Sequence, residues 1–248
     1  MGAESGIEWT DSTWNPWYGC HKISQGCKFC YMFRDMARYG RDANVVQRAA
    51  SATFHAPLRW KEGRRIFTCS WSDFFIEEAD AWRAEARGVI LQTPQHTYQI
   101  LTKRPERVGD YWFENVWLGV SVENRAALPR IDILRTKSAG LRFLSIEPLI
   151  EDLGEIDLTG IGWVIIGGES GGNEARKFGL AWARSIVAQC TAAGVACFVK
   201  QLGRLAFDGD LIQFRAGADP KGGDWDSWPE DLRVRQFPGL WRRRTRRS

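Results

Sequence analysis

Apolar, β-favouring runs bounded by polar residues recur at 65–71, 98–102, 116–122, 141–146, 163–166 and 195–199, and a shorter run at 7–9 predicts a first strand. Helix-length segments lie between several of them. Residues 73–87 carry acidic side chains early and arginines late, the order the helix dipole favours, and stop at Gly88; residues 180–193 are alanine-rich with apolar spacing and stop at Gly194. Strands apolar on both faces, separated by such crossovers, predict a parallel sheet covered by helices. The expected fold is α/β, a parallel (β/α) barrel of TIM-barrel type, complete or partial, with a doubly wound open sheet as the competing architecture. The stretch 207–235, rich in Asp, Gly and Trp without periodicity, reads as a loop-rich C-terminal appendage. Residues 1–206 then form the barrel and 207–248 an extension.

The chain has 248 residues, 44% hydrophobic and 26% charged, which suffices for a sizeable core and excludes disorder as the main reading. No apolar stretch approaches the roughly 20 residues of a bilayer span, and no charged-then-apolar leader opens the sequence. A soluble, cytoplasmic protein with no membrane partner is expected. The formal net charge is +4, yet Arg242, Arg243, Arg244, Arg246 and Arg247 crowd the last seven residues, leaving the remainder at about −1. That tail is a phosphate-contacting arm or a solvated terminus.

Six cysteines are too few for a disulfide scaffold, and three of them, Cys20, Cys27 and Cys30, fall within eleven residues. Cys69, Cys190 and Cys197 stand alone in apolar or small-residue surroundings and read as buried free thiols. The C-x6-C-x2-C spacing can supply three thiolates to one metal site, and Gly26 lets the backbone wrap. Two metals suit it. Zinc requires a fourth ligand, for which His21 is the candidate. A [4Fe-4S] cluster on three thiolates keeps one iron open to a ligand. His55 and His96 have no partner spacing.

Parallel α/β folds place their chemistry at the C-terminal ends of the strands. There the sequence carries Ser70, Ser72 and Asp73, then Thr102, Lys103 and Arg104, then Ser121, Glu123 and Asn124, then Ser145 and Glu147, then Gly167, Gly168, Glu169 and Ser170, and finally Lys200 and Gln201. Strands also end in polar residues simply on meeting water, but Glu147 and Glu169 follow straight after apolar runs. Lys103 and Arg104 are either surface cations or binders of a carboxylate or phosphate. Gly167 and Gly168 are also compatible with a plain tight turn. Trp9, Trp14, Trp17 and Tyr18 crowd the approach to the cysteines, where aromatics pack, shield a cluster or stack on bases.

Cys27-Lys28-Phe29-Cys30 resembles the second half of the radical S-adenosylmethionine signature, although six residues separate the first two cysteines where three are usual. Further segments, Ile7 to Asp11, Thr13 to Pro16, Leu101 to Pro105, Leu118 to Asn124, Ser145 to Leu149 and Ile166 to Gly171, are similar to a phage and bacterial family with a three-cysteine motif and no assigned function. The resemblance covers roughly residues 7–203. It implies an enzyme in which Cys20, Cys27 and Cys30 hold a [4Fe-4S] cluster and Phe29 flanks the adenine of S-adenosyl-L-methionine. Ser70, Ser72 and Asp73 would meet the amino end of that cofactor, and Ser121, Glu123 and Asn124 its ribose. Lys103, Glu147, Glu169 and Lys200 would face the substrate. A reductant of flavodoxin or ferredoxin type is implied, in a bacterial or phage-encoded setting. A nucleic acid or nucleoside is the expected substrate, reached through the aromatic mouth and the arginine tail. The competing readings are a zinc-stabilised, non-catalytic nucleic-acid-binding protein and an interaction protein with a vestigial loop.

Overall fold

The computed structural model describes residues 4–109, 112–170, 174–209, 212–214, 219 and 221–239; the five arginines of the tail lie outside the described residues. Seven parallel strands form one sheet: β1 (Ser12–Trp14), β2 (Arg65–Thr68), β3 (Thr97–Thr102), β4 (Val116–Ser121), β5 (Leu141–Ile146), β6 (Trp163–Gly167) and β7 (Ala196–Gln201). Each strand pairs with the next in chain order. That order has no switch point, which rules out the doubly wound arrangement. Right-handed crossovers added always in one direction put every connection on one face, so the sheet curls into a half-barrel.

Among the described residues five α-helices accompany it: α1 (Tyr31–Arg38), α2 (Ser51–Phe54), α3 (Asp80–Leu91), α4 (Pro129–Arg135) and α5 (Leu180–Ala193). The strand side chains alternate between two apolar layers. Leu118, Val120, Leu144, Ile146, Val164 and Ile166 share one core with Val89 and Ile90 of α3, Ile131 and Leu134 of α4 and Ile186 of α5. Phe67, Trp117, Phe143, Trp163, Ile165 and Phe198 fill the concave face. Trp163 is its hub, with ring centroids of Trp117 and Phe143 both at 5.8 Å and Trp9 at 6.1 Å. Gly119 lies against Phe143, where an added Cβ would come within 2.4 Å of the ring. Both faces are covered, so the strands read as unbroken apolar runs.

The first strand differs from expectation. Residues 7–9 are not a strand; the sheet begins at Ser12, and Trp9 turns into the concave face, 4.7 Å from Phe67. α3 also begins later than 73 and runs past Gly88. Phe74, Phe75 and Ile76 are buried as an apolar turn ahead of it, and Val89 and Ile90 continue its buried stripe. α5 matches the expected limits and stops at Gly194, whose φ of 64° is the left-handed turn that closes a helix.

Beyond residue 206 the chain is more built than its sequence suggests. Leu205–Asp208 pairs with Lys177–Gly179 and Ile212–Phe214 in a small second sheet. Trp228 and Leu232 are buried in the helix-side core. Residues 234–236 then run antiparallel along β7, with Val199 N–H donating to Val234 O and Gln236 N–H to Cys197 O, both at 2.8 Å. This covers an edge that would otherwise expose a row of unpaired backbone groups. Phe237 follows into the concave face, 5.3 Å from Phe198 and beneath the Arg65 guanidinium at 4.4 Å.

Candidate functional site

A cavity of about 380 Å³ opens at the C-terminal ends of the strands. Ser70 and Ser72 follow β2 into its wall; Thr102, Lys103 and Arg104 end β3, Ser121 ends β4, and Ser145 and Glu147 come from β5. Gly168 and Glu169 contribute from β6, and Lys200 and Gln201 from β7. The opposite wall is the cysteine loop: Cys20, Cys27, Phe29 and Cys30 all face the same space. The volume suits a small molecule or cofactor.

The loop is pinned at several points. Cys20 N–H donates to Ala43 O at 2.8 Å, Cys27 N–H to Ser24 O at 3.0 Å, and Cys30 stands at the N-terminal cap of α1. Met32 and Met36 anchor α1 in a small apolar cluster that Cys20, Cys30 and Trp71 pack against. Beneath the loop, Glu123 is fully buried, 2.9 Å from Arg130 Nη1 and 3.4 Å from Lys103 Nζ, and it accepts a hydrogen bond from the Ser24 hydroxyl. Burial alone would raise its carboxyl, but Lys103, Ser24 and Arg130 outweigh that and hold it below the usual range. Gly26 sits directly over it: an added Cβ would lie 2.7 Å from Glu123 Oε1. On the other flank Arg176 pairs with Glu169 through two nitrogens, donates from Nη1 to Gln25 O at 2.8 Å and lies 5.6 Å from the Phe29 ring.

Two of the three thiols, Cys20 and Cys30, are held neutral. Cys20 is pushed up to about 11, chiefly by burial and then by Asp73, against the pull of Arg104. Burial also raises Cys30. Arg104 Nη1 is 4.0 Å from Cys20 Sγ and 3.1 Å from Asp73 Oδ2, while Nη2 reaches His21 O at 3.2 Å.

Several expected contacts are committed to the protein itself. Asp73 accepts from Thr102 Oγ1 at 2.7 Å, from the N–H groups of Lys103 and Phe75 and from Arg104, so its carboxylate ties β2 to β3. Ser72 donates to Gly19 O at 2.6 Å and Ser70 bonds to the Asn15 amide, which also accepts from Trp71 N–H. Glu123 and Asn124 are buried but do not line the cavity; of that trio Ser121 alone does. Lys103 and Arg104 are both paired internally, and Glu147 is 3.0 Å from Lys200. Gly167 is more than a turn residue, since an added Cβ would meet Glu147 Oε1 at 2.4 Å. Among the aromatics, Trp9 lines the cavity, whereas Trp14 and Trp17 are core side chains. Asn15, Ser24, Arg130 and Arg176 went unrecognised in the sequence. Ser24 and Gly26, inside the cysteine spacing, were the one available signal.

Among the described residues no group of three or more His, Cys, Asp and Glu side chains is arranged to hold a metal ion. A single zinc would need donors roughly 4 Å from one another, given Zn–S bonds of ~2.3 Å. The proposed fourth zinc ligand, His21, has its Nε2 against Glu78 at 2.5 Å. A polynuclear cluster takes each thiolate on a separate iron and so tolerates sulfurs set further apart. The donor set, three soft thiols around one cavity, suits such a cluster in kind.

Fold and site together define an α/β protein with a one-way parallel sheet and a thiol-walled cavity at its strand ends. A family model described as protein of unknown function (DUF5131) matches residues 4–229, and the chain belongs to that family. No curated protein and no solved structure matches it. No helix among the described residues is long and apolar enough to cross a membrane.

Proposed function

We propose that this chain is a radical S-adenosylmethionine enzyme whose Cys20, Cys27 and Cys30 bind a [4Fe-4S] cluster. In this reading the sheet is a partial TIM-type barrel, residues 1–206, and 207–248 are its extension. The observation that carries it is that all three loop cysteines open onto one cavity at the C-terminal ends of six strands. When bound, the cluster would supply one electron to S-adenosylmethionine, giving methionine and a 5′-deoxyadenosyl radical.

The chain's own residues do the positioning. Glu123, Lys103 and Arg130 hold the loop from below through Ser24, and Arg176 holds it from the side through Gln25 O. Phe29, flanked by Arg176, offers an aromatic face at the cavity wall. The Glu147–Lys200 pair presents charge at the cavity wall, where a substrate's polar groups would be oriented, and Glu169, paired with Arg176, braces the flank of the loop. Trp9, Phe67 and Leu101 wall off water on the concave side. Loading the metal must expel protons from thiols that burial keeps neutral, so uptake should rise with pH.

The test is anaerobic reconstitution with iron and sulfide, followed by reduction with dithionite in the presence of S-adenosylmethionine. Formation of 5′-deoxyadenosine by the parent and its loss in Cys27→Ala supports the proposal. A reconstituted, reduced protein that leaves the cofactor intact overturns it.

A further inference from the structure

Large apolar side chains exposed to solvent are few on the described surface, and they are unevenly placed. Four of six, Ile23, Tyr31, Tyr39 and Val45, fall between residues 23 and 45, the stretch of the cysteine loop and α1, with Tyr39 71% exposed. Tyr39 and the half-buried Trp71 form a continuous aromatic shelf, ring centroids 6.2 Å apart and planes 35° from parallel. Trp71 directly follows Ser70, and both Ser70 and Tyr31 line the cavity, so the shelf adjoins its mouth. Residues 20–45 also carry five Lys and Arg against two Asp. Lys22, Lys28, Arg34, Arg38 and Arg41 are all exposed.

An exposed aromatic pair beside a cavity mouth is surface available for a partner. Exposed rings interleaved with cations match one occupant in both respects: a single-stranded nucleic acid brings π faces for the rings and phosphates for the cations. An acidic protein would satisfy the cations and leave the shelf without a specific role. We propose that the α1 face binds single-stranded nucleic acid, with a base stacked on Tyr39 and Trp71 and the backbone crossing Arg38 and Arg41 toward the cavity. That the strand is also the substrate rests on the enzymatic reading above; the binding itself does not.

The test is fluorescence anisotropy of the full-length chain with a fluorescein-labelled oligo-dT of about twelve nucleotides, within the site size of such surfaces. Tyr39→Ala should weaken binding by roughly fivefold or more, the worth of one stacked base. The double change Arg38→Gln and Arg41→Gln should lower the log–log salt slope by about 1.4, two phosphate contacts on a single strand. These side chains are exposed, and unchanged thermal melting would confirm that the variants fold. Ultraviolet crosslinking should recover the peptide carrying Tyr39. The proposal is overturned if oligo-dT does not bind, if these variants bind as the parent does while deletion of residues 240–248 abolishes binding, or if an acidic flavodoxin-type protein occupies the face and oligo-dT does not displace it. The two proposals fail separately: cofactor cleavage without oligonucleotide binding removes this one, and binding without cleavage removes the other.

Discussion

Replacing Glu123 with Gln keeps the shape of a fully buried side chain and removes the charge that faces two cations. Losing one partner of a buried ion pair costs about 3–5 kcal/mol, because the remaining charge is left uncompensated. Here Lys103 and Arg130 retain side-chain exposures of 20% and 16%, so water relieves part of the loss and the low end, about 3 kcal/mol, is expected. For a chain of this size that is a fall in Tm of roughly 6–12 °C. The pH dependence provides a second handle. The folded carboxyl titrates below its unfolded value, so its contribution is complete above about pH 4.3 and is lost as pH falls through the folded pKa. Urea unfolding of both proteins from neutral to acid pH should show a gap that is flat near neutrality and closes in acid, with m unchanged. A gap under about 1 kcal/mol at pH 7, or one that persists unaltered into acid, would refute the assignment of Glu123 as the charged clasp beneath the loop.

Three other perturbations follow from the packing. Trp163→Ala empties the hub of the concave face and should cost about 3–5 kcal/mol in chemical denaturation. Gly26→Ala must push Glu123 aside and should cost about 1–3 kcal/mol, whereas Gly6→Ala, with open space around it, should melt within about 0.5 kcal/mol of the parent. Metal-free Cys20, pushed up to about 11, has about a hundredfold less thiolate than an ordinary thiol at pH 8. Higher nucleophilicity recovers about tenfold of that, so peptide-mapped iodoacetamide labelling should run roughly tenfold slower than at an unburied cysteine.

Where a strand is buried on both sides its apolar run is unbroken, and the six runs from 65 to 199 were legible for that reason. β1 was not, because a three-residue edge strand containing Ser12 and Thr13 has too little apolar pattern to stand out, while Ile7 to Trp9 looks like a strand although Trp9 serves the concave face. Residues 207–235 show no period because short strands, single turns and the isolated anchors Trp228 and Leu232 fix them. At the site, Ser121, Glu147, Glu169 and Lys200, singled out by strand-end position, all line one cavity. It could not tell a wall residue from a buried tie. Glu123 sits at a strand end too but lies off the cavity, tied to Lys103 and Arg130, while Asp73 lines the cavity with its carboxylate already committed to Arg104 and Thr102; such partners are fixed only by three-dimensional packing.

The central claim, that Cys20, Cys27 and Cys30 jointly grip a polynuclear iron site, is tested most directly by metal and sulfide quantification with Mössbauer spectroscopy on ⁵⁷Fe-enriched protein purified without oxygen. About four irons and as many sulfides per chain, reduced to background by Cys27→Ala, is the predicted result. Tightly held zinc at one per chain with no iron-sulfide signal, or an iron content indifferent to Cys27→Ala, would contradict it.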